Sequence, residues 1–205
     1  MPPSSASTSW CRINNIPPPT NLLTPLGLRA YRKLYKRTKP PVWFTAEQIN
    51  TLLQGFNHLQ LHHYALLPVS FYTLVRPRKI LFLRWQHVFL DKKYVWLPVS
   101  KTDQEGNGTY VRLLPPALNA LLFLYNNTAH APNDLVFPVN QSSLNGWLES
   151  KCNAANVPAH NWYAIKHGGA TFLALAGWSL DQIQAHGHWK TREAARVYIH
   201  APLLA

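Results

Sequence analysis

The stretch from Tyr163 to His200, YAIKHGGATFLALAGWSLDQIQAHGHWKTREAARVYIH, places a basic pair, Lys166-His167, a Gly187-His188-Trp189 turn and a late tyrosine, Tyr198, close together in the chain. A phenol titrates at about pH 10 and attacks a phosphodiester poorly unless the phosphate is electrostatically activated and the leaving oxygen gains a proton. Several cations around one phosphate meet that need. Arginine suits it best, because its planar fork donates to two non-bridging oxygens as charge builds in the transition state.

Helical periodicity groups Ile165, Phe172, Leu173 and Leu175 on one buried face, closed by Gly177 in the left-handed position after a helix. Ser179 and Gln182 form a capping box for a second helix, with Leu180 and Ile183 as its apolar face. The Gly187-His188-Trp189 turn ends it, and Thr191 N-caps a third helix carrying Ala194, Ala195, Val197 and Tyr198.

Upstream, Thr45 and Gln48 cap a helix running to about Phe56, with Ile49, Leu52 and Leu53 inward. A second runs from about Leu61 to Leu74, with a kink expected at Pro68. Pro77 suits the first position of a short helix, which sets Arg76 beside unsatisfied backbone amides, a natural phosphate site. Val88 to Leu90, Tyr94 to Val99 and Thr109 to Leu114 read as strands, with Glu105-Gly106-Asn107-Gly108 as a hairpin turn and Lys101 just ahead of it. A helix from Pro115 or Pro116 to about Tyr125, apolar at Leu118, Leu121, Leu122 and Leu124, is scaffold. A loop carrying Val136 and Phe137 follows, and then a helix capped by Ser142 or Ser143 that reaches about Ala155.

The 205 residues are 47% hydrophobic, enough for a core, and 20 Lys plus Arg against 8 Asp plus Glu give a net charge of +12. That balance points to a polyanionic partner, nucleic acid first, with a ribosomal, membrane-surface or merely solubilising role as the alternatives. Two cysteines indicate no disulfide framework and a reducing compartment. No signal peptide or membrane span is visible, and neither His62-His63 nor His186 with His188 has the spacing of a zinc site. Residues 1–41 form a Pro/Ser-rich, then basic leader, either an arm that tracks phosphates or a solvated tail, and residues 42–205 form the main domain.

With these pieces in place the chain resembles the tyrosine recombinases of phage-integrase type, and most closely those of DIRS-type retrotransposons and similar eukaryotic elements. The likeness is carried by Arg76 in LVRPRKILFLRW, by Gly169-Ala170-Thr171 after Lys166, by Gly187-His188-Trp189, and by Tyr198-Ile199. KPPVWFT around Trp43 looks like the entry into such a catalytic domain.

The resemblance implies an α+β, mainly α, DNA breaking-rejoining domain with a small antiparallel β-sheet, the leader being a possible remnant of a core-binding domain. It implies Tyr198 as the nucleophile of a 3′-phosphotyrosyl link, Arg76 and Lys166 as phosphate clamp and Lys101 as general acid. Tyr163 falls in the family's His slot, and His188 and Trp189 compete for the remaining position. DNA contacts fall on Arg76, Arg78, Lys79, Lys101, Lys166 and His167. No metal or cofactor is expected; the expected partners are double-stranded DNA and further copies of the chain, as a tetramer, with no membrane. The location is intracellular, nuclear in a eukaryote and cytoplasmic in a prokaryote.

This sequence departs from the family at the clamp, where Lys166 stands for Arg and Tyr163 for His, and at Lys79 and His87, which replace acidic residues. Lysine keeps the charge without the bidentate fork, so an enzyme slowed by about two to three decades is expected. The alternatives are a decayed recombinase that only binds DNA and an enzyme like type IB topoisomerases.

Overall fold

The computed structural model describes residues 42–98 and 108–201; Lys101, most of the hairpin turn and the leader lie outside the described residues. Thr45 and Ser179 both cap their helices as expected, each accepting from the amide three residues on while the Gln there bonds back to the cap amide. The elements are α1 (Ala46–Gln54), α2 (Leu61–Thr73), α3 (Pro77–Ile80), β1 (Val88–Phe89), β2 (Tyr94–Leu97), β3 (Thr109–Arg112), α4 (Pro115–Asn127), α5 (Leu144–Ala154), α6 (Tyr163–Leu175), α7 (Leu180–His186) and α8 (Arg192–Arg196). The strands form one antiparallel sheet in the order β1-β2-β3, with Val88 opposite Val95 and Val95 opposite Val111.

Helix α2 is the hub. It is buried almost all round, at Tyr64 through Phe71 and at Thr73, as expected of a helix covered on every side. It continues through Pro68 and packs on α4 and α6. Around it lie Phe44, Leu52, Leu83, Val111, Leu121, Val136, Phe137 and Ile165. A second apolar cluster, of Leu74, Ala170, Leu173, Ala174, Ile183, Tyr198 and Ile199, joins α6 to the C-terminal segment.

The seating of α6 against α2 and against the segment entering α1 depends on two glycines. A Cβ at Gly168 would lie 2.0 Å from the Phe44 carbonyl oxygen, and one at Gly169 would lie 2.0 Å from that of Phe71. These clashes involve backbone, so an added methyl forces α6 away from the Phe44 segment at Gly168 and away from α2 at Gly169. Gly169→Ala is expected to cost about 1–3 kcal/mol as overpacking, read as a lower urea midpoint. An unchanged midpoint would mean that the backbones do not approach this closely.

Several sequence expectations are corrected. Leu175, the last residue of α6, is 70% exposed, where the helix runs out beyond the core. In α4 the buried positions are Ala117, Leu121 and Leu124, while Leu122 points outward and Leu118 is half-buried. Ser143 precedes α5 without capping it, its hydroxyl donating back to Asn140 O at 2.8 Å, and Asn140 caps the 3₁₀ turn before it by accepting from Ser142. Tyr198 does not lie within α8, which ends at Arg196, but in the turn just beyond it.

Candidate active site

Helix α6 places Tyr163, Lys166 and His167 on one side, at the spacing of a single helical turn. Its far end closes in a Schellman motif, with Gly177 at φ 88°, the Gly177 amide donating to Ala174 O and the Trp178 amide to Leu173 O. Helix α7 ends the same way. There, however, His188 rather than Gly187 occupies the left-handed position, at φ 53°, and the Trp189 amide donates to Gln184 O at 3.1 Å. Gly187 is required for a different reason: a Cβ on it would fall 1.9 Å from the Trp189 ring. The turn therefore lays the indole back toward α6.

Lys166 is 5% exposed. Its Nζ lies 4.2 Å from the centroid of the Trp189 ring and 5.1 Å from that of Tyr198. Aromatic faces offset part of an ammonium's lost hydration, but they supply no charge. Among the described residues the only ion pair joins Arg192 to Asp181, at the surface. Burial first, then the charges of Arg76 and Lys79, lower the Lys166 pKa to about 7. An anion between these three cations would reverse that shift.

Tyr198 is 7% exposed, with its ring 4.9 Å from Trp189, 4.6 Å from His167 and 5.7 Å from Tyr163. Its hydroxyl shares a hydrogen bond with that of Tyr163. Tyr163 is pushed up to about 12 by burial and by this bond, against the pull of Arg76. The neutral imidazole of His167 packs against both phenol rings, its pKa lowered to about 4 by burial, His200 and Lys166.

Arg76 is the N-cap of α3, in extended conformation with Pro77 behind it, and both Arg76 and Arg78 are exposed. The four-residue helix makes the arginine available where the chain turns. The structure thus gathers Tyr163, Lys166, His167, Trp189 and Tyr198 in direct contact, with Arg76 and Lys79 acting on them through their charge. His188 stays exposed at the rim, whereas the Trp189 Nε1 is buried without a hydrogen-bond partner. His186 plays a structural part, bonded through Nε2 to the Tyr72 carbonyl at 2.7 Å. Among the described residues no group of three potential ligands could hold a metal ion, and no helix is long and apolar enough to cross a membrane.

Sequence reasoning gave no role to Thr171, His200 or Trp43. Thr171 Oγ1 donates to Tyr198 O at 3.3 Å and accepts from the His200 amide at 3.1 Å. His200 bonds to His167 and stacks on Trp43. All three stand inside motifs that the sequence displayed, but nothing in the spacing paired them.

The fold is that of tyrosine recombinase catalytic domains. It is similar to XerA recombinase, at a TM-score of 0.69 and 18% identity over 86% of this chain and 70% of that one. It is also similar to the Tn1549 transposon integrase in complex with transposon right end DNA, at 0.65 and 15% over 82% and 64%, and to XerH recombinase bound to palindromic difH substrate, at 0.62 and 18% over 78% and 50%. In sequence, residues 42–202 match the phage integrase family, and the chain belongs to that family. The integrase of Salmonella phage P22 is 22% identical over 140 residues, which cover 62% of this chain and 36% of the phage protein. The chain therefore corresponds to little more than a third of that relative's length.

Proposed function

We propose that this chain is the catalytic part of a tyrosine recombinase that cuts and rejoins double-stranded DNA. The observation that carries the reading is the buried Lys166 ammonium, unpaired with any carboxylate among the described residues and set against the ring of Tyr198. A buried cation without a counterion is costly, and a phosphate supplies the missing charge.

Tyr198 Oη attacks the scissile phosphorus, the bond from phosphorus to the 5′-oxygen breaks, and the phenol proton is balanced by the one gained at the 5′-oxygen. The products are a 3′-phosphotyrosyl link and a free 5′-hydroxyl. Arg76 and Lys166 hold the non-bridging oxygens, with Lys101 as general acid. Trp189 is the better occupant of the contested slot, because its ring lies under the Lys166 ammonium and its buried Nε1–H has no partner, while His188 faces solvent. The likeness to integrases of transposons and phage, with Gly169-Ala170-Thr171 and Tyr198-Ile199, fits a mobile element whose product works as a tetramer on DNA inside the cell, in the nucleus if the host is a eukaryote and in the cytoplasm if it is a prokaryote.

A nicked duplex that loses its 5′-hydroxyl fragment should trap the chain covalently. Binding to the same duplex should weaken steeply with salt, by about 0.9 in log K per log salt for each phosphate neutralised. Affinity flat between low and moderate salt would refute the DNA assignment. A second reading, a decayed domain that only binds DNA, is favoured by Lys166 and Tyr163 in place of Arg and His. Salt-sensitive binding without any adduct would select it.

A further inference from the structure

Four rings form a continuous column through the C-terminal part of the domain. Trp43 stacks on His200 with centroids 4.7 Å apart and planes 21° apart. His200 then meets His167 edge to edge and nearly coplanar, with centroids 5.1 Å and planes 15° apart, and His167 Nδ1 lies 2.9 Å from His200 Nε2, one ring donating its N–H and the other accepting. His167 in turn lies 4.6 Å from the Tyr198 ring at 32°. Burial holds both imidazoles below their ordinary pKa, so the pair is neutral and shares its one hydrogen bond without repulsion.

The column matters because of where Tyr198 sits. Helix α8 has only five residues, and Tyr198 follows it in a turn, so no helix of its own fixes the ring. The backbone from the Tyr198 carbonyl to the His200 amide is tied to α6 through a single hydroxyl, that of Thr171. What sets the direction of the phenol is therefore side-chain contact: the bond to the Tyr163 hydroxyl at its tip, with the ring packed against His167 on one side and Trp189 close by. His167 is itself held in place by His200, and His200 by Trp43.

The geometry points to Trp43 and His200 as positioning residues that hold the Tyr198 phenol beside Lys166 through the ring of His167. This rests on the reading of Tyr198 as nucleophile. Neither residue touches the reacting atoms; each acts by keeping the phenol in its attack direction, and misplacement by about 1 Å costs on the order of 10²-fold in rate.

The test uses the full chain on the nicked duplex at saturating DNA, comparing Trp43→Ala, Trp43→Leu, Trp43→Phe, His200→Ala and the Trp43→Ala/His200→Ala double variant. The Ala variants and Trp43→Leu, which keeps apolar bulk without a stacking face, should form adduct about 10- to 100-fold more slowly, with DNA affinity within about twofold. Trp43→Phe should recover to within about threefold of wild type, and the double variant should be no slower than the worse single one, because both changes remove the same support. Hydrogen exchange at the His200 amide should quicken about tenfold in Trp43→Leu while α6 amides are unchanged. Rates within threefold of wild type, multiplying losses in the double variant, or weakened DNA affinity matching the rate loss would each overturn the proposal. If wild type forms no adduct, the recombinase reading fails by itself and exchange decides: unchanged protection at His200 overturns the positioning role, and faster exchange upholds it.

Discussion

Tyr198→Phe is expected to abolish the covalent DNA adduct, with a loss of at least about 10⁴-fold in the rate of strand cleavage, the scale seen when a nucleophile is removed from a catalytic set. The change deletes one oxygen and leaves the ring, which is 7% exposed and packed among Trp189, His167 and Tyr163, so the fold and the DNA affinity should hold. The result is informative because a second phenol lies in contact. Tyr163 shares a hydrogen bond with Tyr198, is 42% exposed, and has a hydroxyl pushed up to about 12, which makes it a poor source of phenolate. Tyr163→Phe should therefore slow the reaction by about tenfold at most, as loss of a supporting hydrogen bond does. An adduct formed equally by wild type and Tyr198→Phe would refute the nucleophile assignment.

Lys166→Met should slow cleavage by about 10²- to 10³-fold, or about 3–4 kcal/mol, the effect of losing one donor to a developing anion. Methionine matches the stem and accepts the company of Trp189 and Tyr198, so the loss reports the charge. Lys166→Arg together with Tyr163→His should raise the rate above wild type, since the pair restores a bidentate fork and a group that titrates near neutrality.

The pH dependence has a defined sign. With its pKa near 7 in the folded chain, Lys166 is charged below that value and neutral above it, so kcat/KM should fall as pH rises through about 7. Lys166→Arg should remove that fall. Stability moves the other way. From about 7 to the ordinary lysine value of 10.5 the unfolded chain keeps the proton that the folded chain has lost, so stability rises with pH by up to about 1.4 kcal/mol per unit. Lys166→Met should erase this slope. A slope unchanged in the variant would show that the ammonium is not desolvated as its burial indicates.

How far the sequence could be read follows from the range of each interaction. Capping boxes at Thr45 and Ser179, the left-handed Gly177 and the placement of Arg76 ahead of Pro77 were legible because each depends on groups within a few residues of one another. The same local rules misplaced Tyr198 inside α8. Thr191 does cap that helix, but nothing local marks its end at Arg196. The Gly187 turn was legible as a break, but its reason was not: the left-handed residue is His188, and the glycine is there for an indole two residues away.

The sequence by itself determined the family and the helical framework with its small sheet, because residue type and order along the chain carry that information. Only the tertiary structure decided that Lys166 is buried between two aromatic rings, that Trp189 rather than His188 turns toward it, and that Trp43, His200 and His167 stand in one column behind Tyr198. Those facts depend on how α6 meets the Phe44 segment at Gly168 and α2 at Gly169, and on where the chain returns after α8. They arise from contacts between residues far apart in sequence, where neither periodicity nor spacing constrains which side chains meet.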